Sequence, residues 1–297
     1  MKSSYLCTMQ HLILAILCST GVFVVMRLFE RYGIDNHRGI AANYATATII
    51  GMLMVHNYPT VEQVVEAPWL ELSLLTGFWF IFTYLLMSYS SQRAGIAVTS
   101  LSSKLSVVIP TLLGIFYFGD KTSVTLIIGI ALALVALVLI VGKKKEDSST
   151  VKASGWIVAL PVIIFFGTGI GDVLMKFTER LSTATNMNFM IAFIYFIALL
   201  FGLLIVLFDK VKGKSRFHWK NTVGGIVLGV VNFFSTYCMY QCMRIFDNVY
   251  LFPIYNIGVV IATTLCGVLL FKEKLSAKNY IGLALAILAV ILITQKA

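Results

Sequence analysis

Two side chains stand out by where they fall. Lys104 lies in an apolar run over 96–118 and Asp172 in another over 155–177. A charge at the centre of a bilayer costs about 2.5–3.5 kcal/mol on insertion scales, so such residues face a cavity or a partner. An ammonium there suits a carboxylate or a phosphate, and a carboxylate there can carry a proton. Lys104 is about nine residues into its run, roughly 13 Å at 1.5 Å per residue and close to a bilayer midplane. Asp172 is nearer the far end of its run. The same arithmetic separates the two backbones by about 10–15 Å, too far for a direct ion pair to be assumed. Two roles fit each residue: substrate contact or structural pairing for Lys104, proton carrier or solvated helix end for Asp172.

Other chemistry is excluded by missing partners. Gly169-Ile170-Gly171-Asp172 spells the G-x-G-D of intramembrane aspartyl proteases, whose chemistry needs two carboxylates sharing a proton. Asp120, Asp147, Asp209 and Asp247 all fall at loops, so the second carboxylate is lacking. The H-E-x-x-H, G-x-S-x-G and P-loop patterns are absent, and the four histidines are scattered at run ends. The five cysteines form no C-x-x-C pair, which points to neither a zinc site nor a disulfide framework. The reading is therefore no catalytic residue, no metal and no cofactor.

The elements that must hold these residues follow from composition. Apolar residues make up 59% of the 297-residue chain and charged residues 12%, about half the charge of a soluble domain. Ten runs are long enough to cross a bilayer: 10–28, 39–56, 70–90, 96–118, 124–141, 155–177, 187–208, 222–243, 249–271 and 277–294. They are continuous rather than alternating, which selects helices over a β-barrel. Trp69, Trp156 and Trp219 stand at run starts, where interfacial indoles belong, while Trp79 is mid-run and suits interhelical packing. The first run lacks a small-residue cleavage site and reads as a retained helix. A net charge of +10 reflects loop topology rather than a nucleic-acid face, since no basic run is interleaved with aromatics.

The two halves repeat. Shifted by 153 residues, 118–140 overlies 271–293 with 11 of 23 positions identical. The same shift pairs Phe80 with Phe233, Thr83-Tyr84 with Thr236-Tyr237, and Gly114 with Gly267. The domains are thus 1–142, a charged linker at 143–153, and 154–297. Five helices per copy is an odd number, so the second copy enters the membrane from the opposite side. An all-α membrane protein of ten helices in two inverted five-helix repeats is an architecture associated with alternating access around a midplane site, the alternative being a duplicated scaffold with no transport.

The segment SSKLSVVIPTLLGIFYFGDKTSVTLIIGIALALVALVLI at 102–140 and its partner YNIGVVIATTLCGVLLFKEKLSAKNYIGLALAILAVILI at 255–293 resemble the drug/metabolite transporter superfamily, in its EamA-like ten-helix branch. The short turns at 119–121 and 272–274 fit that pattern, and the likeness spans essentially the whole chain. It implies a central cavity lined by helices 1, 3, 4, 6, 8 and 9, with the fifth and tenth peripheral. Ser103, Tyr84, Asn232, Tyr237, Tyr255 and Asn256 then join Lys104 as candidate substrate-binding residues, each alone also compatible with an interhelical hydrogen bond. Ser103 pairs with Asn256 and Tyr84 with Tyr237 under the 153 shift. Pro110 and Pro253 fall inside helices 4 and 9, either as packing kinks or as flexible points for gating. Gly225 and Gly229 form a close-packing motif.

The resulting expectation is a secondary transporter of a small zwitterionic or anionic metabolite, such as an amino acid or related compound, in a bacterial cytoplasmic membrane. It is a monomer with internal pseudo-symmetry, partnered by lipid and solute and not by nucleic acid. A passive channel and a lipid-headgroup flippase are the alternatives. Sixteen Lys and Arg lie on the side opposite the termini and six on the termini's side. The positive-inside rule places the sixteen in the cytoplasm and both termini outside, against the orientation usual in the family.

Overall fold

The computed structural model describes residues 2–110, 112–113, 123–141, 155–182, 187–213, 218–243 and 248–294. The 119–121 turn and the 143–153 linker lie outside the described residues. Among the described residues a helix falls in each of the ten expected runs, although α4 fills only the first part of the run 96–118: α1 Lys2–Tyr32, α2 Asn36–Leu53, α3 Leu70–Arg93, α4 Ile96–Leu105, α5 Val124–Val141, α6 Gly155–Arg180, α7 Met187–Val211, α8 Trp219–Met243, α9 Asn248–Phe271 and α10 Ala277–Thr294. A one-turn helix, Val61–Val65, lies between α2 and α3. Among the described residues, five stretches are both long and apolar enough to cross a membrane, in α1, α3, α6, α7 and α8, and the remaining apolar helices are shorter over those residues.

Helix ends follow local chemistry. Gly33, at φ +63°, ends α1 in the left-handed region that glycine enters without penalty. The Asp35 carboxylate then accepts from the Arg38 amide at 3.0 Å and caps α2.

The repeats pack antiparallel, and the two-fold is visible in small residues. A Cβ on Gly51 of α2 would lie 3.0 Å from the Ala192 Cβ of α7. A Cβ on Gly202 of α7 would lie 3.3 Å from the Ala41 Cβ of α2. Ala41 and Gly51 share the spacing of Ala192 and Gly202, so these contacts are images of one another. The cross-repeat pairs α1–α8 and α3–α6 correspond in the same way, as do α2–α8 and α3–α7, while α4 packs on α9 and α5 on α10. At α2–α8, Gly225 and Gly229 let the backbones approach: a Cβ on Gly225 would fall 2.5 Å from the Gly39 carbonyl oxygen, and one on Gly229 2.6 Å from that of Asn43.

The core is mostly aromatic and aliphatic, with Phe29, Ile40, Tyr44, Met190 and Tyr195 fully enclosed. Trp79 packs between helices, its indole N–H donating to the Gly167 carbonyl at 2.7 Å. Trp69 stands at the start of α3, as expected, and is enclosed by protein there. It is 2% exposed and edges against Phe189 and Phe193 of α7, because α7 is rich enough in aromatics to enclose it.

Gly225→Val should lower stability by about 1–3 kcal/mol, since its first carbon already collides with backbone that cannot yield. Thermal unfolding of the detergent-solubilised protein measures this; an unchanged midpoint would mean that α2 and α8 separate without penalty.

Candidate functional site

Helix α4 breaks next to its lysine. Regular turns stop at Leu105, Ser106 and Val107 form a turn, and helix resumes at Val108. Pro110 supplies the cause. It donates no hydrogen bond and its ring clashes with the carbonyl four residues back, which is Ser106. That carbonyl accepts instead from the Ile109 amide at 2.9 Å. Lys104 therefore sits in the last turn of a half-helix, where the unpaired carbonyls favour a cation. Pro253 acts differently. It falls in the opening turns of α9, which runs unbroken from Asn248 to Phe271.

The Lys104 ammonium lies over the Tyr255 ring, 4.4 Å from its centroid, a cation–π contact strengthened by exclusion of water. Tyr255 also lies within side-chain hydrogen-bonding reach of Ser19, Ser235 and Lys104. Asn256, buried, borders with Lys104 a narrow crevice between α4, α9 and α10. The rest of its lining is apolar, from Leu101, Leu105, Ile257, Val260, Ala286, Ile287 and Val290.

Asp172 is much closer to Lys104 than residue counting suggests. Ser106 donates to its carboxylate at 3.3 Å, and one turn earlier Thr168 reaches the Ser103 carbonyl at 3.4 Å. Helices α4 and α6 thus run side by side in register, and Asp172 lies level with Ser106. The counted separation fails because α6 starts well outside the depth at which α4 starts. Among the described residues no direct ion pair joins Lys104 to Asp172, although their charges interact. Asp172 is exposed and lies within α6, short of its end at Arg180. Phe166 and Ile170, on the far face of α6, are the exposed apolar residues, whereas Asp172 is accessible on the face that packs against α4.

A second polar cluster adjoins the first. Tyr84 of α3 donates to Asn232 Oδ1 of α8, and Asn232 Nδ2 donates to Asn43 Oδ1 of α2 at 3.1 Å. Tyr44 packs against Tyr84 and Tyr195, with centroids 5.6 and 6.1 Å away. Tyr195 donates to Thr236 Oγ1 at 2.8 Å. The Tyr44 hydroxyl and Asn43 Nδ2 are buried without a partner among the described residues. Tyr237 instead stacks on Phe233, 6.1 Å between centroids. Asn43, Tyr44 and Tyr195 come from α2 and α7, which lie outside the set of helices expected to line the cavity. The pairing of Tyr84 with Tyr237 under the repeat shift carried no hint of them.

The EamA-like transporter family model matches this chain twice, over residues 8–142 and 146–295. An uncharacterized protein from Haemophilus influenzae is 30% identical over 290 residues, covering 95% of this chain and 96% of that one. A protein of known crystal structure aligns over 94% of this chain and 95% of its own, with a TM-score of 0.58 and 12% identity, a likeness of fold alone.

Tyr84→Phe removes the donor to a buried amide carbonyl and should cost about 1–2 kcal/mol. In an Asn232→Ala background the same change should cost less than half as much, as expected of coupled residues. A double-mutant cycle of thermal unfolding reads this; additive effects would break the link.

Proposed function

The chain belongs to the EamA-like transporter family, and from that premise we propose that it is a secondary transporter moving a small zwitterionic or anionic metabolite by alternating access. It is an integral, multi-pass membrane protein, and the family moves small molecules rather than transforming them. The observation that carries the finer reading is Lys104, an ammonium at the end of a broken half-helix, against the Tyr255 ring and beside the Ser106–Asp172 pair. One cation and one carboxylate within a turn of each other suit a ligand with opposite charges. A polycation would want several carboxylates. Ser103, Asn256, Tyr84, Asn232 and Tyr237 are the neutral contacts of this proposal. Asp172 is its proton carrier, being a carboxylate that is accessible on an inward face.

The reading places the lysine-rich end in the cytoplasm and both termini outside, from the loop charges. A lipid-headgroup flippase is the second reading, favoured by the apolar lining of the narrow crevice beside Lys104.

Proteoliposomes given a mixed metabolite pool should accumulate one solute class, and Lys104→Ala should reduce that uptake at least tenfold. Asp172→Asn should abolish its response to an imposed proton gradient. Transport of cationic dyes alone, indifferent to Lys104→Ala, would overturn the proposal, and phospholipid translocation in the same vesicles would transfer it to the second reading.

A reporter active only in the cytoplasm should be silent when fused to the C-terminus. Activity there reverses the orientation.

A further inference from the structure

The end of the molecule opposite the termini is laced shut, and one seam leads straight to Lys104. Helices α4 and α9 run antiparallel, and their contacts advance by single turns of α4. At Ile96 the side chain packs on Gly267, where a Cβ would come within 3.3 Å of Ile96 Cγ1. At Ser100 the hydroxyl meets the Thr263 hydroxyl at 2.6 Å, and both residues are fully buried. At Lys104 the ammonium meets Tyr255. From Ile96 to Lys104 is about 12 Å along the helix, so two turns of seam separate the ammonium from that end of the bundle.

Glu273 closes the seam from above. It belongs to the second repeat, in the turn after α9, yet its carboxylate accepts from the Ile96 amide at 2.8 Å and the Ala97 amide at 3.4 Å, in the first turn of α4 of the first repeat. Those amides have no partner within their own helix, and the positive end of the helix favours an anion. The backbone on both sides is shaped to admit the carboxylate. Gly95, at φ +100°, has no side chain where a Cβ would stand 2.9 Å from it, and a Cβ on Gly267 would stand 2.7 Å from Glu273 Oε2. Lys272 takes a left-handed φ of 53°, which turns the chain back so that the Glu273 amide donates to the Gly267 carbonyl at 2.9 Å. Two glycines, a reversed residue and a carboxylate thus converge on one junction between repeats.

We infer that Glu273 is the latch of a gate at the lysine-rich end, and that its release from the first turn of α4 opens the Lys104 site to that side. The inference rests on reading that site as a transport cavity. Its seam is the closed state, with the Ser100–Thr263 contact as the second barrier. Elsewhere at this end, within the first repeat, Gln92 of α3 donates to the Met26 carbonyl at 3.1 Å and to Asn36 at 2.8 Å, while Arg27 donates to the Gln92 carbonyl, and between the repeats His37 of α2 meets Asp209 of α7. Of these contacts the α4–α9 seam is the one that runs down to Lys104, and so it is the one that parts.

A thiol introduced by Ser103→Cys, in a chain freed of its native cysteines, reports access. In oriented vesicles a membrane-impermeant maleimide applied to the lysine-rich face should label it slowly. Glu273→Ala should raise that rate at least tenfold. Gly267→Ala, which displaces the carboxylate without removing its charge, should raise it in the same direction. Labelling from that face that is already fast with Glu273 intact, or unchanged in both variants, overturns the latch. The assay uses no solute, so a failure to find any transported metabolite would leave its result standing, and active transport with unchanged labelling would remove the latch alone.

Discussion

A single ammonium held inside a bilayer-spanning bundle constrains everything around it. Its burial is tolerable only where several weak stabilisations converge. The carbonyl end of a half-helix, an aromatic face and a carboxylate one turn away supply them for Lys104. None is a direct ion pair, and that matters for a site that must exchange partners. A lysine locked to a carboxylate would gain little from a solute, whereas one resting on a ring keeps hydrogen-bond donors to offer. The break in α4 is part of the same arrangement, since the proline that interrupts the helix also exposes the carbonyls near Lys104.

The second constraint is the two-fold. Five helices per copy force the copies to enter from opposite sides, so each contact between repeats occurs twice in opposite directions. Where the α2–α7 pair obeys this, small residues match at both ends. Where α4 and α9 depart from it, the departure is chemical. The 153-residue shift carries Ser100 onto Pro253 and Thr263 onto Pro110. One end of the seam holds two hydroxyls that bond, and its image holds two prolines that cannot donate through their backbone. A symmetric pair of helices thereby acquires unequal ends, which is what a bundle needs to have one closed end at a time.

Much of this was legible in the sequence because bilayer and repeat impose simple periodicities. The ten runs, the packing role of Gly225 and Gly229, the packing of Trp79 between helices and the break caused by Pro110 all follow from local rules. The errors have a common source. Counting residues from the start of each run put Lys104 and Asp172 at different depths, because it assumed that every helix enters at one level. The enclosure of Trp69 is equally hidden in the sequence, since its position in the chain says nothing of the aromatic wall on α7. Asn43, Tyr44 and Tyr195 went unnoticed because polar residues in α2 and α7 look like ordinary interhelical hydrogen bonds until neighbouring helices bring them together.

Glu273 shows the division most clearly. As a residue in a short charged turn it was recognised only as part of a pattern. That its carboxylate caps a helix of the other repeat is a fact of three dimensions, set by Lys272 turning the chain and by two glycines leaving room. By itself the sequence determined the solvent the protein lives in, the helices, the duplication and its inversion, because hydrophobic length and internal identity are one-dimensional quantities. The depth of each helix, the neighbours of Lys104 and the closed seam above it were decided by packing alone, because they depend on how helices slide and face one another, and residue order does not encode that directly.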